Sequence, residues 1–249
     1  MNTSGNTVLI TGGGTGIGFC IAEEFVKSGN EVIICGRREE KLREAKAKLP
    51  QIHTKTCDVS KPKDREELFN WVTSKFTGIN VLVNNAGVQR MIDLKEGITE
   101  LAKHENEVDI NLASTIQLSA YFIPTFMHRE EAAILNVSSG LAFIPLAMMP
   151  IYCATKAAMH SFSISLRHQL KDTPVKVFEI IPPTVDTELD KGTRAQRNMT
   201  YRGIPPSEVA VATMNALAAD RFECAVGQAQ GLMDASRNNF DEQFGRMNH

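Results

Sequence analysis

Short apolar segments rich in β-branched residues alternate with helical patterns along the whole chain. Six of these segments are predicted to be strands, at residues 7–11, 31–36, 52–58, 80–85, 132–138 and 175–182. A weaker segment at residues 223–227 would close the series. Because the segments are nearly continuous in apolar residues, we expect strands that are buried on both faces.

The stretches between the strands carry apolar residues at helical spacing, as Ile17, Ile21 and Phe25 do. Strands that alternate with helices predict a parallel sheet built by right-handed crossovers, with helices on both faces. The chain shows no linker and no repeat, so residues 1–249 are expected to form a single domain. The predicted fold is α/β, a Rossmann fold with a doubly wound parallel sheet of about seven strands.

One segment departs from this alternation. Residues 186–206 are polar, follow the sixth strand and lack a clear period. Long insertions of this kind are often binding elements, so we expect a mobile substrate lid there.

Composition narrows the possible partners and the compartment. The chain has 27 basic and 29 acidic residues, a net charge of −2 and no block of like charge, so no nucleic-acid partner is expected. No apolar run approaches the roughly 20 residues of a membrane span, so no membrane partner is expected either. The five cysteines are scattered without metal-binding spacing, which favours reduced thiols, a cytoplasmic location and no metal site.

The first predicted strand runs into the sequence TGGGTGIG, residues 11–18, which we call the glycine loop. Glycines permit a tight turn and a close approach of the backbone to a ligand. The helix that follows offers unpaired N–H groups and the positive end of its dipole to a pyrophosphate. A strand-to-helix turn that merely needs glycine is the alternative, but the position between a strand and a helix favours phosphate binding.

The second predicted strand ends at Gly36, where an acidic residue would bind ribose hydroxyls, and Arg37 and Arg38 follow. A guanidinium suits a 2′-phosphate, which favours NADP(H) over NAD(H). Alternatively, the two arginines only solvate the start of a helix before Glu39.

Together these and later motifs resemble the short-chain dehydrogenase/reductase family. The matching positions, in order, are the glycine loop, Asp58, the NNAG sequence at residues 84–87, Asn111, Ser139, Tyr152 and Lys156. Ser139 precedes Tyr152 by the family's usual 13 residues. One departure is Pro182-Pro183, where the family usually has Pro-Gly. The tail, residues 225–239, is similar to an oxidoreductase subgroup, some of whose members are encoded beside teichoic-acid D-alanylation genes.

The resemblance implies a cofactor site and four catalytic residues. The residues expected to contact NADP(H) are Gly12, Gly14, Thr15, Gly16, Ile17, Gly18, Arg37, Arg38, Asp58, Val59, Asn85, Ala86, Gly87, Tyr152, Lys156, Pro182, Val185 and Thr187. The residues expected to be catalytic are Asn111, Ser139, Tyr152 and Lys156. Asn111 would hold a water that relays protons, and Lys156 would also bind the nicotinamide ribose.

Tyr152 and Lys156 are four residues apart, so their side chains share one helix face. A nearby ammonium stabilises a phenolate, which lets the phenol act as a general acid and base. The Ser139 hydroxyl could orient the carbonyl oxygen, with Ser138 as the fallback. Each residue also has a structural alternative: a packing pair on a helix, a turn cap, or, for Asn111, a bond to backbone.

Apolar residues surround these candidates in sequence. The residues expected on the substrate side are Ser139, Leu141, Met148, Met149, Tyr152, Pro183 and Leu189, with Met91, Phe143 and Leu146 as further wall candidates. Such a wall favours an apolar or mixed ketone or aldehyde, unless several of these residues belong to the core or to subunit contacts.

The leading hypothesis is an NADPH-dependent oxidoreductase that reduces a ketone or aldehyde. An NAD(H)-using alcohol dehydrogenase and a non-catalytic NADP-binding regulator are the alternatives. The small-residue helix at 152–170 and a helix at 100–126 resemble the family's dimer-forming pair, so we expect a homodimer or homotetramer.

Overall fold

The structure, a computed structural model, describes residues 1–103, 105–189 and 203–248. Its strands are β1 (Thr7–Thr11), β2 (Glu31–Gly36), β3 (His53–Thr56), β4 (Ile79–Asn84), β5 (Ala132–Val137), β6 (Val175–Ile181) and β7 (Glu223–Ala225). They form one sheet in the order β3-β2-β1-β4-β5-β6-β7, and every neighbouring pair is parallel. The predicted single-domain Rossmann fold is therefore confirmed.

Helices cover both faces of the sheet. They are α1 (Gly16–Lys27), α2 (Glu39–Lys48), α3 (Pro62–Lys75), α4 (Ile98–Ala102), α5 (Ser114–Phe126), α6 (Pro150–Gln169), α7 (Pro206–Ala218), α8 (Gln228–Asn238) and α9 (Phe240–Asn248). On one face, Phe25 of α1 and Leu217 of α7 pack in the same core cluster as Ile10 of β1. On the other, Leu68 of α3 and Phe122 of α5 pack in a second cluster. The alternation of strands and helices thus produces two cores, one on each side of a fully covered sheet.

The edge strand β3 differs from the sequence expectation. Its four residues, His53–Thr56, are polar, and none of them is buried. The prediction of burial on both faces is wrong here, because β3 has a neighbour only on the β2 side of the sheet. Its apolar neighbours Ile52 and Cys57, which made residues 52–58 resemble a buried strand, lie just outside its two ends and are buried.

The predicted helix at residues 100–126 is interrupted. α4 ends at Ala102, and the chain becomes helical again only after Asn106, whose side chain accepts a hydrogen bond of 3.0 Å from the N–H of Val108. A π-helical turn at Asp109–Ala113 then leads into α5. An asparagine side chain that bonds to a nearby backbone N–H competes with the hydrogen bonds of a helix. This competition at Asn106 explains the break between α4 and the π-helical turn, which apolar spacing does not indicate.

The six strands β1–β6 end at the same edge of the sheet, and the strand order reverses between β1 and β4. The carboxyl edge beside such a reversal is where ligands bind in open α/β sheets. No helix within the described ranges is both long and apolar enough to cross a bilayer.

Candidate active site

A cavity of about 740 Å³ opens at the carboxyl edge of the sheet. Its walls are the segments that follow β1 to β6, together with parts of α8 and α9. We call the glycine loop with Arg37, Arg38 and Lys41 the arginine end of this cavity. The tyrosine end consists of Ser139, Leu141, Leu146, Met149, Tyr152 and Lys156.

The glycine loop turns tightly beneath the cavity. Gly12 has a φ of +64°, and a Cβ added there would lie 2.9 Å from the Cα of Ala86. Gly12 therefore packs closely against the end of β4, which only a residue without a side chain allows, and the glycines of the loop that line the cavity present only backbone to it. In the described chain, Thr15 makes no side-chain hydrogen bond to the first turn of α1, so the N–H groups of that turn face the cavity without a side-chain cap.

The loop is held against the end of β4. The hydroxyl of Thr11 accepts hydrogen bonds of 3.0 Å from the N–H groups of Asn85 and Ala86. The side-chain amide of Asn85 donates to the carbonyls of Thr11, at 2.9 Å, and Gly12, at 3.2 Å. The NNAG sequence therefore fixes the loop in place and lines the same cavity wall.

Both arginines at the arginine end pair with carboxylates from distant parts of the chain. Arg37 forms a two-pronged ion pair with Glu105, which raises the pKa of the arginine. Arg38 lies 2.8 Å from Glu188, measured from Nη1 to Oε2. Lys41, which the sequence argument did not single out, adds a third cation to this wall.

Asp58 follows β3 and lines the wall next to Val59. Burial tends to raise the pKa of Asp58, but hydrogen bonds from Ser60 and the charges of Arg37 and Lys61 outweigh it, and the pKa lies below its usual value. The carboxylate is thus ionised and able to accept a hydrogen bond from a ligand at neutral pH.

Tyr152 and Lys156 lie one turn apart on α6, and both are buried. The Nζ of Lys156 is 5.7 Å from the centre of the Tyr152 ring and donates a 2.8 Å hydrogen bond to the carbonyl of Val137. Burial lowers the pKa of Lys156 to about 8, although the charge of Glu179 acts in the opposite direction. The expected facing of the two side chains is present, and a bond to β5 fixes the ammonium.

Ser139 follows β5 and lines the tyrosine end. Its hydroxyl accepts a 3.1 Å hydrogen bond from the N–H of Leu141, so it also caps the short turn at Gly140–Ala142. The Ser138 hydroxyl instead donates to the carboxylate of Glu179. Of the two serines, Ser139 is therefore the one placed to bind a ligand atom.

Asn111 lies behind the wall and does not line the cavity, in contrast to its expected position. Its side-chain oxygen accepts from the N–H of Val88 at 2.8 Å, and its amide donates to the Val88 carbonyl at 2.9 Å and to Thr155 at 3.1 Å. These bonds clamp the segment after β4 to α6. A Cβ added to Gly87 would lie within 4 Å of both the Asn111 oxygen and the Lys156 Nζ, so Asn111 is nevertheless close to the lysine.

Gly18 and Met148 also lie outside the lining that was expected to include them. Gly18 is the third residue of α1, where a Cβ would lie 2.4 Å from the Asn85 amide nitrogen, so this glycine permits close packing. Met148 packs beside Met149, Tyr152 and Cys153 in a small cluster instead. The other residues expected to contact the cofactor or the substrate line the cavity, and their roles stay predictions. Of the further wall candidates, Leu146 is among the described lining residues, whereas Met91 and Phe143 pack against small core clusters instead.

Comparison with known proteins agrees with the geometry. The family model described as short chain dehydrogenase matches residues 6–198. The chain belongs to the short-chain dehydrogenase/reductase family. It is 49% identical, over 100% of its length and 98% of the relative's, to an uncharacterized oxidoreductase, DltE, of Bacillus subtilis (strain 168). This match confirms the resemblance of the tail to an oxidoreductase subgroup, and the chain is an oxidoreductase of this family.

Solved members of the short-chain dehydrogenase/reductase family share the fold. One, from Burkholderia phymatum in complex with NAD, matches with a TM-score of 0.87 and 22% identity, covering 100% of this chain and 97% of that one. Another, from Burkholderia cenocepacia J2315 in complex with NADP, has a TM-score of 0.84 and 25% identity over 99% of each chain.

Several wall residues were missed by sequence reasoning because they come from the C-terminal helices. These are Gln228, Gly231 and Leu232 of α8 and Gln243 and Met247 of α9. A Cβ on Gly140 would lie 2.9 Å from Leu232, so α8 packs directly on the turn after Ser139. Asn248 of α9 also donates to the Pro145 carbonyl at 3.1 Å. The resemblance of the tail to a subgroup was the only signal, and it named no site residue.

Most of the expected substrate lid, residues 190–202, lies outside the described residues. The described residues on either side of this stretch meet at a bridge between Val185 and Ile204. On the near side, Thr187 and Leu189 line the cavity. Glu188 pairs with Arg38, and Thr187 lies next to Gly16, so the segment leaves the fold beside the arginine end.

Proposed function

We propose that this oxidoreductase reduces a ketone or an aldehyde with NADPH, and oxidises the alcohol in the reverse direction, with Tyr152 as general acid and base. One observation carries the proposal. Ser139, Tyr152 and Lys156 meet at one end of a cavity whose other end holds the glycine loop and three cations. Hydride transfer between a dinucleotide and a carbonyl needs an anion site and a proton donor in one cavity.

The walls fit a nicotinamide dinucleotide. The cradle at Gly12 has no room for a Cβ, and the first turn of α1 faces the same space, which suits a pyrophosphate. At the arginine end, Arg37 would hold a 2′-phosphate and the Asp58 carboxylate would accept from the adenine. At the other end, Lys156 would donate to the nicotinamide ribose.

The three polar residues of the tyrosine end, Ser139, Tyr152 and Lys156, each have a role in this reaction. The bound nicotinamide supplies the hydride that the carbonyl carbon receives. Tyr152 donates its hydroxyl proton to the carbonyl oxygen as negative charge develops there. The Lys156 ammonium stabilises the resulting phenolate of Tyr152. The Ser139 hydroxyl donates a hydrogen bond to the carbonyl oxygen of the substrate. Asn111 would assist by fixing the backbone beside Lys156, and a proton relay through it stays part of the proposal.

The preference for NADPH rests on cations at the end of β2. Two observations favour NAD(H) as a second candidate cofactor. Glu105 and Glu188 already pair with Arg37 and Arg38, so a 2′-phosphate would have to displace carboxylates. Solved relatives also include complexes with NAD and with NADP.

For the substrate, we propose an uncharged carbonyl compound with an apolar part. Leu141, Leu146 and Met149 face the space beside Tyr152, and Leu232 and Met247 add apolar surface from the C-terminal helices. Methionine side chains adapt to irregular ligands, which suits more than one shape. The lid at residues 186–206 would close over this part.

The experiment is a turnover assay with a panel of ketones and aldehydes, each with NADPH and with NADH, followed by the loss of reduced-cofactor absorbance. We expect turnover of uncharged, apolar carbonyls and faster turnover with NADPH. If the protein binds NADPH but reduces none of the panel, the non-catalytic NADP-binding alternative gains support. Equal or faster turnover with NADH would favour the second cofactor candidate.

Assembly and compartment are also proposals. Ile116 of α5 and Ile164 of α6 are large, apolar and exposed, which supports a homodimer or homotetramer formed through these helices. Light scattering of the wild type, and of a variant with Ile164→Glu, measures this directly. All five cysteines are free thiols, which accords with a cytoplasmic location.

A further inference from the structure

Glu179 is a carboxylate in the middle of β6 that is completely buried. The mechanism above does not use it, and it is not among the described residues that line the cavity. Burying an ionised carboxylate is costly unless it is paired and hydrogen-bonded. Its position therefore requires a physical explanation.

Two side chains satisfy this carboxylate. The Nδ1 of His160, on α6, lies 2.7 Å from one of its oxygens, and the Ser138 hydroxyl donates to the other. The hydrogen bond with Glu179 raises the pKa of His160, although burial acts against it. The three residues thus form a polar cluster that joins the end of β5, β6 and α6, with Ser138 at the cavity wall.

The same cluster lies beside the lysine of the tyrosine end. His160 follows Lys156 by one turn of α6, so the two side chains lie on the same helix face. The Lys156 ammonium donates to the carbonyl of Val137, and the next residue, Ser138, donates to Glu179. Consecutive residues of the chain therefore hold the ammonium and the carboxylate.

The other charges near His160 balance one another. The charges of Glu179 and of Glu223 on β7 raise the pKa of His160, and the charge of Arg167 on α6 lowers it. Arg167 and Glu223 form an ion pair with an Nη1–Oε1 distance of 3.1 Å. Glu179 is the carboxylate whose charge acts on Lys156, and His160 contacts that carboxylate directly.

We propose that Glu179 is a positioning residue whose buried charge, held by His160 and Ser138, keeps Lys156 protonated during the proposed reaction. Burial alone favours the neutral amine, which could not stabilise a phenolate. The charge of Glu179 opposes this tendency. The inference rests on the proposed function for its catalytic meaning, but the coupling of the charges can be measured without turnover.

The test is an NMR titration of the Lys156 Nζ in ¹⁵N-lysine-labelled, cofactor-free protein, with the signal assigned by its loss in Lys156→Met. In Glu179→Gln, we expect the midpoint of the Lys156 titration to fall by about one pH unit. In His160→Gln, which keeps the carboxylate of Glu179 and removes the imidazolium form that pairing with it favours, we expect the midpoint to rise. The matched control is Glu67→Gln, which removes an exposed carboxylate of a surface ion pair on α3 and should leave the midpoint unchanged.

Opposite shifts in the two cluster variants would not arise from a merely structural role. A midpoint that does not fall in Glu179→Gln, or that falls in His160→Gln, would overturn the inference. If Glu179→Gln does not fold, as judged by circular dichroism, the sign of the shift in His160→Gln decides.

Turnover provides the second measurement. With the best carbonyl of the panel, the alkaline limb of kcat in Glu179→Gln should move to lower pH by the same amount, with KM nearly unchanged. If the wild type reduces no carbonyl, the proposed function is contradicted. If the Lys156 midpoint nevertheless shifts in opposite directions in the two cluster variants, the charge coupling is still supported. Normal turnover and an unmoved alkaline limb in Glu179→Gln would overturn the inference and leave the proposed function intact.

Discussion

The two ends of the cavity hold their charged groups in opposite ways. At the tyrosine end, Lys156 and Tyr152 are only 4% and 5% exposed, and a bond to β5 fixes the lysine. At the arginine end, the side chains of Arg37 and Arg38 are 40% and 52% exposed and pair with carboxylates from distant segments. One end is buried and fixed by a bond between α6 and β5, and the other is exposed and paired with residues of distant segments.

This contrast has an energetic consequence. Exposed ion pairs contribute about 0–1 kcal/mol, because water screens them and long side chains lose entropy when they are held. A buried charge has no such screening, so its environment changes its pKa strongly. We therefore expect substitutions at the tyrosine end to have large effects and substitutions at the arginine end to change cofactor choice by modest factors.

The largest effect is expected for Tyr152→Phe. Removing the hydroxyl should lower kcat at least about 10³-fold, because the developing alkoxide loses its proton donor. Cofactor affinity should change little, as measured by fluorescence titration with NADPH. The matched control is Tyr121→Phe, a half-buried tyrosine of α5 stacked on Phe69, which should retain activity. Substantial activity in Tyr152→Phe would refute the assignment of the proton donor.

The second effect concerns folding and pH. Burial lowers the pKa of Lys156 to about 8 in the folded protein, from its ordinary value of 10.5. Between these two pKa values the lysine is protonated in the unfolded chain but neutral in the folded one. The contribution of Lys156 to the free energy of unfolding therefore rises with pH over this range. Below the lower value both states are protonated, and the contribution is constant.

We expect the difference in unfolding free energy, wild type minus Lys156→Met, to increase by about 3 kcal/mol from pH 7 to pH 10, since each pKa unit corresponds to about 1.4 kcal/mol. Urea unfolding at the two pH values measures it. A difference that is flat or falls with pH would show that the lysine is not held in a desolvated site.

A smaller effect is expected for Arg37→Ala at the arginine end. It should weaken NADPH binding by about tenfold, the loss of one charge-assisted contact, and leave NADH binding nearly unchanged. Titration with both cofactors gives the ratio. Arg43→Ala, which removes an exposed arginine of α2 outside the cavity wall, is the control. Equal losses for the two cofactors would count against a contact with the 2′-phosphate.

The smallest effect is expected for Glu188→Gln. Removing the carboxylate that pairs with Arg38 should increase NADPH affinity by about two- to fivefold, in line with the modest strength of exposed pairs. Glu67→Gln, in a surface pair on α3, should have no effect. Weaker NADPH binding in Glu188→Gln would indicate that the pair organises the site instead of competing for it.

Much of the fold was predictable because its signals are local. Apolar runs gave β1 and β2 with their observed bounds, and the glycine loop marked the switch from strand to helix. The edge position of β3 was not predictable, because the order of strands depends on contacts between distant segments. The break before Asn106 depends on one side chain that competes with the helix, which a periodic pattern does not show.

In the candidate site, too, local features were predictable from the sequence and long-range contacts were not. Tyr152 and Lys156 share a helix, so their spacing alone predicted that they face each other. The walls from α8 and α9 could not be predicted, because those helices reach the cavity only through tertiary packing. The pairing of Arg37 with Glu105 spans 68 residues, and no short-range rule connects them.

The π-helical turn at Asp109–Ala113 makes the placement of Asn111 sensitive to chain length. Such a turn holds one residue more than the α-helical path between the same ends. A single-residue deletion here would let the turn close as a regular α-helix. The residues that precede the deletion would then rotate by about 100° about the helix axis relative to α5. Insertions and deletions are usually tolerated in surface loops, but in this turn a deletion would turn the Asn111 amide away from Val88 and release the segment that follows β4.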